Sequence, residues 1–156
     1  MERISTQDLP ANLLNGMLQN ESIVAQSGLD EKMLELVRIR VSQINGCAYC
    51  LDMHHKDALA LGELPIRLYT IAAWRDATYF NPAERAALAF AESLTHINAE
   101  ADSEHIHDEL LLHFTKEEIA YLSLAIAQIN AWNRLMRSFG REPGHYISRR
   151  KQASAV

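Results

Sequence analysis

Residues 35–54 read ELVRIRVSQINGCAYCLDMH. A helical pattern runs into Asn45-Gly46, stops, and resumes at once beyond it. Asp30 supplies a cap for a helix from about Glu31 to Ile44, and Asn45-Gly46 is its stop. The next helix runs from about Ala48 to Leu61 and ends at Gly62. A connection this tight makes the two helices antiparallel neighbours.

The same grammar continues outward. Asp8 and Pro10 mark a helix start, followed by Leu13, Leu14, Met17 and Leu18 up to Gly28. Pro65 to about Arg75 is a shorter helix. Asn81-Pro82 opens a strong one through Ala86, Leu88, Phe90, Ala91 and Leu94. Ser103 to about His113 is a short helical stretch. Thr115 with Glu118 forms a capping box before a long helix to Phe139, closed by Gly140. No alternating strand pattern, internal repeat or linker interrupts the series. The expectation is an all-α bundle of six or seven helices, a single domain over residues 1–156.

The long segment from Ile119 to Trp132 is apolar almost all round, so it must be buried on several sides. A subunit interface is a natural source of such burial, which predicts a homo-oligomer. Sedimentation showing monomer alone at micromolar concentration would refute that expectation.

The 156 residues carry a net charge of −5. A nucleic-acid binder needs a basic face, so that class is disfavoured. The basic tail from Arg141, with Arg149, Arg150 and Lys151, reads as a solvated, peripheral end. The first residues lack an export signal and no apolar run is long enough for a membrane span, so the expected location is cytoplasmic. Thiols are kept reduced there. A lone pair of cysteines in that compartment points to catalysis, redox sensing or metal binding rather than a static staple.

Those cysteines, Cys47 and Cys50, sit at the first turn of a helix. Free N–H groups and the positive end of the helix dipole stabilise a thiolate there. A CxxC so placed is poised for thiol–disulfide exchange. Helix phase puts His54 on the same face, whereas His55 points away. Glu35 lies ten residues before Asn45, about 15 Å back along its helix and at a depth similar to His54. Carboxylate, imidazole and thiol in a row can activate a weak nucleophile. Spacing alone gives Glu35 a plainer place, on a solvated stripe with Arg38, Ser42 and Asn45.

These residues resemble the alkylhydroperoxidase D-like branch of the carboxymuconolactone decarboxylase superfamily. Leu64–Thr95 and Ala125–Gly140 extend the resemblance. It implies an all-α fold, trimers or hexamers, and thiol peroxidase activity on organic hydroperoxides without a cofactor. It implies that Cys50 attacks the peroxide and becomes a sulfenic acid, and that Cys47 condenses with it to a disulfide. Glu35 and His54 match the proton relay, which reverses the solvated-stripe reading of Glu35. The reductant is another dithiol or a lipoyl-bearing protein. Well-studied members have histidine immediately before the second cysteine, where this chain has Tyr49. A phenol does not share a proton near neutral pH.

Other readings stand beside this one. Zinc on Cys47, Cys50 and His54 lacks a second knuckle. Two inert buried cysteines are a further alternative. So are a disulfide-exchange or redox-sensing module and a carboxymuconolactone decarboxylase-type enzyme on the same fold. His105, His107 and His113 read as surface residues, not metal ligands. Trp74, Tyr79, Phe80 and Phe90 read as core or interface. Asn130 and Asn133 read as hydrogen-bonding groups in helix packing.

Overall fold

The computed structural model describes residues 2–97 and 103–150. Lys151 of the basic tail lies outside them. Among the described residues there are seven α-helices and no strand. The helices are α1 (Asn15–Ala25), α2 (Glu31–Asn45), α3 (Ala48–Ala60), α4 (Pro65–Thr70), α5 (Pro82–His96), α6 (Ser103–Leu111) and α7 (Lys116–Phe139). The all-α expectation holds, and the caps explain the boundaries. Asp30 accepts from Met33 N at α2, and Asn81 with Glu84, and Thr115 with Glu118, form capping boxes at α5 and α7.

The first helix starts later than its sequence suggests. Asp8 ends a short 3-10 turn, where its carboxylate accepts from Ser5 N and Ser5 Oγ, so it caps nothing downstream. Asn12 has φ 66°, a left-handed conformation that no helix can run through, and α1 begins only at Asn15.

α2 lies at the centre and packs on α3, α5 and α7. Leu36, Val37, Ile39 and Val41 are fully buried on it. α7 packs against α1, α2, α3 and α5, so much of its apolar surface is covered within the chain itself.

The α2–α3 turn sets where the two cysteines lie. Gly46 has φ 63° and ψ 39°, where a Cβ would be strained. Cys47 N then donates to Ser42 O at 3.0 Å, the closing bond of a Schellman turn. α7 clamps this turn. Asn45 Nδ2 donates to Asn130 Oδ1 and Asn133 Oδ1, both at 2.9 Å, and Asn133 Nδ2 donates to Ser42 Oγ at 3.0 Å. The helix-packing role expected of the two asparagines is what they perform. Asn133 is wholly buried, so Asn133→Leu should cost about 1–3 kcal/mol by taking one partner from Asn45 and the Asn133 donor from the buried Ser42 hydroxyl. Urea denaturation of the variant against the parent measures it, and equal midpoints would mean the clamp carries no stability.

Candidate active site

Cys47 is the N-cap of α3, and Cys50 sits one turn in. The two are joined as a disulfide, with Cα atoms 5.4 Å apart. Both are buried. The helix start serves the first cysteine directly, since Cys47 Sγ accepts from Cys50 N at 3.3 Å. Cys50 shares a cavity with polar side chains.

Among them are Glu35 from α2 and His54 from α3. His54, one turn after Cys50, places Nδ1 2.8 Å from Glu35 Oε2. Glu35 is wholly buried, not on a solvated stripe; Arg38 and Ser42 of that stripe are buried with it. The stripe faces α3 and the chain's tail rather than water, which helical phase alone does not decide. Glu35 Oε1 accepts from Arg38 Nη1 at 2.8 Å and Arg150 Nη2 at 3.0 Å. Burial pushes the Glu35 carboxyl up, but His54, Arg38 and Arg150 outweigh it and hold it down at about 2. Glu35 is thus an acceptor, and Nδ1 carries the ring proton that joins the pair. His54 Nε2 is buried and has no hydrogen-bond partner. His55, by contrast, turns Nδ1 to its own helix, 2.8 Å from Leu51 O.

Cys50, His54, Glu35 and Asp57 share one cavity of about 310 Å3 with the apolar side chains of Leu18, Met53, Ile129 and Trp132. Cys47 opens instead onto a neighbouring cavity of about 290 Å3 lined by Arg3, Arg137 and Arg141. Tyr49 and Met136 line both.

The tail differs most from its sequence reading. Its described part is docked on α2 and α3 and reaches the site. Gly144 N donates to Asp52 Oδ2 at 3.0 Å, and Lys56 Nζ donates to Tyr146 O at 2.9 Å. Tyr146 Oη donates to Asp57 Oδ1 at 3.0 Å, and Ser148 Oγ donates to the same oxygen at 2.5 Å. Arg150 Nη1 donates to Glu31 Oε2 at 2.6 Å. Burial, then Asp57 and Glu35, push the Tyr146 phenol up to about 12. Asp57 had a signal in the sequence, because it lies one turn after His54. The tail residues had none, since a segment without periodicity does not announce where it lands.

Glu35, His54 and Asp57 bring ligand-type atoms within 4.8 Å of one another. Their oxygens already accept from two guanidiniums and two hydroxyls, and Arg38 and Arg150 put positive charge where an ion would sit. The donor set does not suit a cation. His105, His107 and His113 are exposed, with His107 edge-on to Phe90 at 5.5 Å. Trp74, Phe80 and Phe90 are buried, while Tyr79 is half exposed.

Residues 11–93 match the sequence profile of the carboxymuconolactone decarboxylase family, slightly more than half of the chain. The chain belongs to this family. The chain is 35% identical over 139 residues to the uncharacterised protein YdfG of Bacillus subtilis, covering 89% of this chain and 95% of that one. The alkyl hydroperoxide reductase AhpD of Coxiella burnetii is 41% identical over 56 residues, which span 36% of this family member and 28% of AhpD. A protein of unknown function from Agrobacterium tumefaciens, proposed as an AhpD-type antioxidant defence protein, superposes with a TM-score of 0.87. It is 29% identical, over 94% of this chain and all of that one. Among the described residues, no helix is long and apolar enough to cross a membrane.

Proposed function

We propose that this family member is a thiol peroxidase that reduces organic hydroperoxides through a Cys47–Cys50 disulfide cycle. The observation that carries the reading is the buried Glu35–His54 pair, whose unpartnered Nε2 shares a cavity with Cys50. In the reduced protein, His54 Nε2 takes the Cys50 proton. The Cys50 thiolate attacks the terminal oxygen of the hydroperoxide, and the O–O bond breaks. The proton on His54 passes to the departing alkoxide, giving an alcohol and a Cys50 sulfenic acid. Cys47 then attacks that sulfur, water leaves, and the disulfide forms. A dithiol or lipoyl-bearing protein returns two electrons and two protons.

Access decides which cysteine attacks. Cys50 lines the cavity that holds His54 and the apolar wall, whereas Cys47 opens onto the arginine-lined side. The apolar wall favours an organic hydroperoxide over hydrogen peroxide. A cytoplasmic setting and a trimeric or hexameric assembly belong to the same reading. An apolar groove between α5 and α7, with the strongly exposed Ile97 and with Ala127 and Ala131, supports the assembly.

Mass spectrometry of the intact reduced protein tests the cycle. One equivalent of cumene hydroperoxide should remove two hydrogens, mapped to residues 47 and 50. Cys50→Ser should consume no peroxide, and Cys47→Ser should stop at the sulfenic acid. Peroxide consumption by Cys50→Ser at the parental rate would end this reading.

A further inference from the structure

Two carboxylates flank the His54 side of the site, and the tail supplies donors to both. Tyr146 and Ser148 donate hydroxyls to Asp57, while Arg150 donates a guanidinium to Glu35. We propose that Arg150, held by the tail's anchor on Asp57, is a positioning residue that sets how readily His54 takes a second proton. The proposal rests on His54 as the proton acceptor of the thiol cycle.

A buried carboxylate 2.8 Å from an imidazole favours the imidazolium. A base drawn too far that way is already protonated and cannot take the thiol proton. Arg38 and Arg150 both bind Glu35 Oε1, the oxygen that His54 does not use, and so offset the carboxylate's pull on the ring. The charged and titratable groups facing the pair come from four segments. α1 gives Glu21, which pairs with Arg38 at 3.2 Å. α2 gives Glu35, Arg38 and Glu31, the last paired with Arg150. α3 gives Tyr49, Cys50 and Asp57, and the tail gives Tyr146 and Arg150. α7 contributes Ile129, Trp132 and Met136, which carry no charge. Removing Arg150 leaves Glu35 with one guanidinium and shifts the balance toward imidazolium. Its contact with the half-exposed Glu31 is a surface pair of small worth, whereas its pair with the buried Glu35 carries some stability, so the midpoint is read only in variants that fold.

The test is an NMR titration of the His54 ring in the oxidised full-length protein, in which neither cysteine ionises. His54→Gln assigns the signal. Arg150→Gln should raise the titration midpoint by about one pH unit. Arg150→Lys should restore at least half of that, because the charge returns without the fork. Ser148→Ala, which loosens the anchor and keeps the arginine, should move the midpoint the same way by less. Circular dichroism checks folding, and if Arg150→Gln fails to fold, Ser148→Ala decides. A midpoint that does not move in the folded variants overturns the proposal. Peroxide turnover is read separately. A raised midpoint in a protein without turnover sinks the peroxidase reading alone; an unmoved midpoint in a working peroxidase sinks the positioning role alone.

Discussion

His54→Gln should leave the fold intact and lower kcat/KM for an organic hydroperoxide by about 10²- to 10⁴-fold near neutral pH, the range a positioned general base supplies. Glutamine has similar reach and can still donate to Glu35, so the pair's packing survives. It offers no nitrogen that can take a proton. The loss falls on two proton transfers, formation of the Cys50 thiolate and protonation of the alkoxide. Raising the pH should therefore narrow the gap, because hydroxide ionises the thiol without help. His55→Gln is the matched control, since that ring bonds its own helix backbone, and it should leave the rate within about twofold. Steady-state rates across pH 6 to about 9 read both variants. Equal rates for the parent and His54→Gln at neutral pH would remove the imidazole from the mechanism. A gap that stays constant with pH would show that the ring matters for shape and not for proton transfer.

The fold was legible because helix ends carry chemistry. Asp30, Asn45-Gly46, Asn81-Pro82, Thr115-Glu118 and Gly140 mark ends that the structure places within a residue or two. α1 departs because Asp8 has a nearer partner, Ser5, than the helix it was expected to cap, and α4 also closes early, at Thr70 rather than about Arg75. Within the site, the Cys50–His54 relation was legible from helical phase, since both lie on one helix. The Glu35–His54 contact was legible only as a similarity of depth, because phase within α2 does not say which neighbour covers which face. Arg38, one turn on from Glu35, could be read as its partner. Asp57 could have been found by the same one-turn rule applied to His54. Arg150 could not: it is 115 residues from Glu35 and sits in a segment whose conformation is set by Asp52, Lys56 and Asp57. A tail held by side chains of another helix leaves no periodic trace in its own sequence.

Glu35→Gln should cost about 3 kcal/mol of stability at pH 7, with a signature in acid that a mere packing defect lacks. The carboxyl is held at about 2 in the folded chain, against 4.5 for the free group. That difference corresponds to about 3 kcal/mol. Linkage sets the sign: a depressed carboxyl stabilises the fold fully above the unfolded value and loses this as pH falls through the folded one. The gap between parent and variant should shrink below 4.5 and close near 2. Other depressed carboxyls, such as Asp52 and Glu92, titrate in both proteins and cancel in the comparison. The cause is specific. Glutamine fills the same space but leaves Arg38 and Arg150 without the buried anion that His54 also contacts, and breaking such a cluster from one side is costly. Urea denaturation of both proteins from pH 7 to about 2 measures the gap at each step. Two curves that stay parallel into acid would mean that Glu35 stabilises by shape, and the charge argument for the His54 pair would fall with it.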